Sequence, residues 1–254
     1  GCAIVRGEVR TAMLAPTPAP PSFDASFLTW FREVTERAWA ECETPTLEGY
    51  RRAGVGGGGF QRGTRWAGGL SEAQVEAVER ARSLRFPPDY RLFLRTLHAT
   101  TPPQVGAGFV DGDRLELYPR AGFYDWLRED DEIRAAEREV VDGLLFDVEH
   151  SDLWLPTWGP RPDAAEGREV RLRELVDAAP RLVPVFGHRF LVAEPCRAGN
   201  PVLSVHQSDI IVYGRDLRTY LLVEFDLPSG DGAVPQTGDP DDFRDIPFWG
   251  ELVG

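Results

Sequence analysis

Four short apolar runs crowd into residues 181–214: "RLVPVFG", "HRFLVAE", "NPVLSVH" and "DIIVYG". Each is bounded by Gly, Pro or Asn, and each is too short for a helix and rich in branched or aromatic residues, which is the pattern of a strand. A parallel pair needs a crossover of about a dozen residues or more. The connectors here are shorter, so successive strands must run antiparallel as a meander. A helix closes it, with Asp216 at its N-cap and Leu217, Tyr220, Leu221 and Phe225 as its inner stripe. Everything upstream has to cover the faces of that sheet. The expected class is α+β, a mostly antiparallel sheet packed with helices.

The upstream chain supplies those helices. From Asp24, the residues Phe27, Trp30, Phe31, Val34, Ala38 and Trp39 recur at helical spacing up to Pro45. Ser71 and Gln74 form a capping box, with Leu70 and Val75 spaced as a hydrophobic staple, so a second helix starts there. It ends by Phe86, because Pro87 and Pro88 forbid continuation and open a short helix whose face is Tyr90, Phe93, Leu94 and Leu97. "GFVDGDRLELY", residues 108–118, has an Asp-Gly turn between apolar runs and predicts a hairpin. Further helices are expected over about 129–145, with Ile133, Ala136, Val140 and Leu144 inside, and over about 164–178. Between them, "FDVEHSDLWLPTWGPRP" suggests an ordered covering loop.

Two stretches invite a chemical role and do not support it. "GVGGGGFQRGTRWAGG", residues 54–69, fits G-x-x-x-x-G, yet no strand leads into it and Thr64 and Arg65 stand where a phosphate loop needs Lys and a hydroxyl. A flexible loop anchored by Trp66 is expected. "LAPTPAPPS", residues 14–22, is expected to be an extended linker, and residues 1–12, ahead of Met13, the only Met, are expected to be upstream sequence outside the folded unit. The expected organisation is an extension over 1–22, one domain over 23–227 with a helical insert near 120–180, and a loosely docked acidic tail over 228–254 held by Phe243, Phe248 and Trp249.

The charge is 28 basic residues, all Arg, against 41 acidic ones, a net −13. Such a chain repels phosphate backbones, so nucleic acid is not an expected partner; the acidity reads first as plain solubility and second as a complement to a basic protein. The missing Lys excludes Schiff-base chemistry. Three unpaired-looking cysteines, Cys2, Cys42 and Cys196, favour a reducing, cytoplasmic setting, and no apolar run reaches the roughly 18 residues that a membrane helix requires.

The parts "LSEAQVEAVE…RFPPDYRLFL" (70–94) and "PVFGHRFLVA…GNPVLSVHQSDIIVYGRDLRTYLLVEF" (184–225) together resemble the SUKH superfamily of cell-wall assembly regulators and bacterial immunity-type relatives. The likeness covers less than half of the chain. It departs from the family where "HATTPP" replaces an Asn-Gly pair and in the length of the 120–180 insert. The resemblance implies a SUKH-like fold without established catalysis and a stoichiometric protein-binding role. The partner is often a nuclease toxin, and no cofactor or catalytic residue is implied.

The polar cluster "SVHQSD", residues 204–209, admits three roles. It is a strand turn if Ser208 and Asp209 bond their own backbone. A hydrolytic role needs a base, His188 or His206, beside Ser204 or Asp209; a metal role would join His150, His188, His206 and Asp209. As a binding surface, Ser204 and His206 share a strand face. Trp154 and Trp158 would then lie over it, making an aromatic-rimmed cleft with His188, Arg189 and Asn200.

Overall fold

A computed structural model describes residues 19–53, 58–120, 122–230 and 233–254; the expectations for residues 1–18 lie outside them. Helix α1 (Ala25–Glu41) starts where Asp24 accepts the Ser26 and Phe27 amides, and it buries Phe27, Leu28, Phe31 and Trp39. A short helix α2 (Leu47–Ala53), which the pattern did not announce, leads to β1 (Gly58–Gly59) and β2 (Arg65–Trp66). The Gly-rich stretch is therefore strand-paired at 58–59 and 65–66 with irregular backbone between, because Phe60 and Trp66 are both buried and draw the backbone onto the core. Trp66 anchors it as expected, its ring N–H donating to Thr35 Oγ1 at 2.8 Å.

Helix α3 (Glu72–Ala81) has the predicted capping box, and α4 (Pro88–Thr96) opens at the double proline. Asp89 of "PPDY" is buried, and its Oδ2 accepts the Gly199 amide at 2.9 Å, pinning α4 to a loop of the meander. Burial pushes the Asp89 carboxyl up, against the pull of the Gly199 and Tyr90 amides. Just past the Leu97 cap of this helix, His98 takes a φ of 63°, the left-handed turn common after helices.

Strand β3 (Thr100–Thr101) pairs with β2. The expected hairpin is longer than its turn signal, β4 (Gln104–Val110) against β5 (Arg114–Arg120), and β1 adds to β4 to complete a three-stranded sheet. Helix α5 (Asp130–His150) carries the predicted stripe but runs five residues beyond 145, since no Gly or Pro breaks "FDVEH". Helix α6 (Ala165–Ala178) buries Leu172 but leaves Val170 exposed.

The meander forms as expected: β6 (Leu182–Phe186), β7 (Arg189–Val192), β8 (Val202–His206) and β9 (Asp209–Gly214), paired antiparallel in that order. Helix α7 (Leu217–Glu224) closes it from its Asp216 cap. The fold is thus α+β. One face of the sheet, through Phe186, Arg189 and Ser204, turns to α7 and to the aromatic core of Phe31, Phe60, Phe123 and Phe225. The other, through Leu203, Val205 and Val212, meets α5 and the C-terminal segment.

That segment stays at the surface over the described residues of 228–247, none of which is buried, and enters the core at its end. It ends in α8 (Trp249–Leu252), where Trp249 is buried and donates to Pro180 O at 2.7 Å, and Val253 bridges Ile210. At the other end, residues 19–22 also depart from the expected extension: Ala19 is buried and Pro20 O accepts from Arg218 Nη2 at 2.8 Å. No helix among the described residues is long and apolar enough to cross a membrane.

Candidate functional site

The 204–209 cluster is a tight hairpin. His206 and Asp209 pair directly across the two-residue turn Gln207–Ser208, and Gln207 takes φ 57°. The turn is held from outside, by a residue the sequence did not single out. Buried Asp147 of α5 accepts the Ser208 amide at 2.9 Å and its hydroxyl at 2.5 Å. Burial pushes the Asp147 carboxyl up, but the Ser208 and Ser151 hydroxyls, the Ser208 amide and the nearby His206 ring outweigh it, leaving it below its ordinary value. Gly143, one helical turn earlier, lets the backbone of Gln207 approach: a Cβ there would sit 3.0 Å from Gln207 Cα. Asp147→Ala is expected to cost about 2 kcal/mol by orphaning the Ser208 donors, measured by denaturant unfolding. An unchanged midpoint would mean the turn stands without its helix.

On the strand face, cross-strand register brings Arg189 opposite Ser204. The guanidinium is mostly buried. It donates to Ser204 Oγ at 2.7 Å, pairs with Glu224 of α7 at 3.1 Å, lies 3.8 Å above the Tyr213 ring and touches His188 Nε2. Burial opposes the Arg189 charge, but Glu224 and the neighbouring tyrosines Tyr220 and Tyr213 prevail and raise its pKa. Burial pushes Glu224 up against the pull of Arg189. Desolvation, then the positive charges of Arg189, Arg120 and His206, hold His188 down to about 4. Arg189 donates to Ser204, so the hydroxyl faces a cation instead of the base a nucleophile needs.

The expected cleft does not form. Because α5 runs to His150, residues 151–158 are carried to the side of the sheet covered by the C-terminal segment, away from Arg189. Buried Trp158 stacks on Phe248 with ring centroids 5.5 Å apart, and Trp154 meets it edge-on and donates to Gly159 O at 2.8 Å. Both tryptophans plug the fold. Asn200 is buried too, its amide donating to Val192 O at 2.8 Å and Pro195 O at 2.9 Å, so it orders the loop between β7 and β8. Of the predicted residues, His188, Arg189 and Ser204 come together; His206 and Asp209 are exposed at the adjoining turn; Trp154, Trp158 and Asn200 lie elsewhere. His150 stacks on Phe146 at 4.3 Å, and among the described residues no three His, Cys, Asp or Glu side chains converge as a metal site would require.

A second histidine is wholly internal. His98 Nε2 accepts the Trp126 amide at 3.1 Å and lies 3.5 Å from Asp125. Burial lowers its pKa; Asp125 works against that and Arg128 with it. The folded protein keeps His98 neutral while the unfolded chain titrates near 6.5, so below that pH the unfolded state binds more protons. Stability is therefore lost as pH falls from about 6.5 towards the lowered folded value. His98→Gln, which keeps an acceptor without the titration, should show a smaller stability loss between pH 7 and pH 5. Identical pH profiles would contradict this.

The surface that stands out is the β4–β5 hairpin. Phe109 is 61% exposed, Tyr118 44%, Leu117 41% and Val110 37%. These four residues gather on one projecting element, whereas isolated exposed apolar residues need no explanation. The available sequence signal was a hairpin with apolar residues on both of its faces, when packing can consume only one. Comparison of the chain with protein-family models, with curated proteins and with solved structures finds no match in any of the three.

Proposed function

We propose that the chain is a non-enzymatic protein-binding module of the SUKH immunity type, acting in the cytoplasm by stoichiometric occlusion of a basic toxin, with a nuclease as the partner class. The observation that carries this is the apolar hairpin surface on a chain of net charge −13. Apolar and aromatic residues supply affinity, and an acidic field steers a cationic partner. Of the side chains that suggested a catalytic centre, Ser204 is engaged within the fold by the Arg189 guanidinium, which supports the same reading.

The test is affinity capture by the tagged chain from its native lysate, followed by assay of the captured protein with the purified chain added back. One basic protein held at equal stoichiometry, and inhibited at that ratio, is the expected result. A capture that retains nothing, or a captured protein whose activity is unaffected, would refute the role.

A further inference from the structure

The hairpin also specifies how a partner is seated, an inference that rests on the binding role just proposed. By register, Val105, Ala107, Phe109, Leu115, Leu117 and Pro119 share one face of β4 and β5. Helix α2 covers part of that face. Tyr50 packs against Ala107 and Leu115, and its hydroxyl donates to Val105 O at 2.6 Å. The cross-strand partners of these two, Phe109 opposite Leu115 and Leu117 opposite Ala107, have no comparable cover among the described residues. On the opposite face the Tyr118 ring, itself partly open to solvent, lies over Gly106 and Gly108, so that a Cβ on Gly106 would meet it at 2.8 Å.

Strand β5 is the outer strand of its sheet, yet it is a poor template for an added strand. Pro119 has no amide to donate, and charged side chains line its length, Arg114 being bridged to Glu116 at 3.0 Å. The face, rather than the edge, is what the hairpin offers. Asp111 and Asp113 flank Phe109 at the exposed turn, where Asp111 and Gly112 both take positive φ. We infer that the uncovered part of this face, Phe109 and Leu117 with Phe109 as the anchor, inserts into an apolar cleft with a cationic rim on a basic protein. A second copy of this chain is disfavoured as occupant, because two molecules at −13 repel each other.

The test places a photo-crosslinking phenylalanine analogue at position 109 and, as a control, at Val170, which is equally open on α6. Both chains are expressed in native cells, and the double variant Phe109→Asp/Leu117→Asp is compared with wild type in the capture experiment. The expected result is an adduct with a basic protein from position 109 alone. The double variant, its thermal unfolding unchanged, should bind at least about 30-fold more weakly. An adduct of two copies of the chain, an adduct from position 170 instead of 109, no adduct from either position, or full capture by the folded double variant would each overturn the inference while leaving the binding role standing. Failure of the wild-type chain to capture anything removes both.

Discussion

Replacing Gly69 by Ala is expected to destabilise the protein by about 3 kcal/mol or more, while the same change at Gly68 should be neutral or stabilise by up to about 1 kcal/mol. The two residues are adjacent and chemically identical, and only the surroundings differ. The chain from 67 to 70 is laid against the last turn of α4 by two backbone bonds, Ala67 N–H to Ala99 O at 2.7 Å and Leu70 N–H to Leu94 O at 2.9 Å. A methyl on Gly69 would fall 2.7 Å from the Thr96 nitrogen and inside the envelope of the Arg95 carbonyl. Backbone on both sides cannot rotate away as a side chain can. At Gly68 nothing lies within 4 Å and the backbone is not left-handed, so Ala only narrows the unfolded ensemble. For a chain of this size the Gly69 variant should melt about 6–12 °C lower. Equal melting temperatures for the two variants would mean that the close approach of this segment to α4 is wrong.

The second large effect concerns Arg189. Its side chain is 11% exposed and that of Glu224 12%, so Arg189→Met leaves a buried carboxylate without its cation, at a cost of about 3 kcal/mol. Replacing both, as Arg189→Met/Glu224→Leu, should recover most of that, since two apolar side chains of similar volume remove the desolvation problem along with the attraction. The pH dependence gives a further check. Burial already raises the Glu224 pKa, and without Arg189 it rises more, so the single variant should approach wild-type stability as pH falls and lose ground as pH rises through the folded value. Stability indistinguishable from wild type in the single variant would move Arg189 from the frame of the fold to a role in recognition.

The backbone plan was largely readable because it rests on local signals. The capping box at Ser71 and Gln74, the proline corner, the Asp216 cap and the spacing of the four meander strands each act within a few residues, and each appears in the structure. Site assembly was less readable because it depends on quantities that act at a distance. The position of Trp154 and Trp158 hinges on where α5 stops, and "FDVEH" lacks a residue that forces a stop; Asp152, with φ 56°, is where the chain finally turns. Asn200 looked like a surface group until its two carbonyl partners were in view. The pairing of Arg189 with Ser204 requires the strand register, and with Glu224 the seating of α7. The exposure of Phe109 was least accessible, because a run of alternating apolar residues does not say which face will find a cover.

The pins between the helical layer and the sheet also govern how the chain reaches this state. Tyr90 bonds to Pro184 across 94 residues, Arg181 to Arg82 across 99, Gly199 to Asp89 across 110 and Arg218 to Pro20 across 198. Such spans must be closed before their contacts repay the lost chain freedom, which places this topology among the slower folders. The helices from 25 to 96 tie to one another, as where Arg91 meets Glu79 and Arg95 meets Glu72, and also lean on the sheet through Tyr90 and Asp89, while the sheet lacks a lid without them. The tie from Arg218 back to Pro20 can close only once nearly all of residues 20–218 is available at the same time.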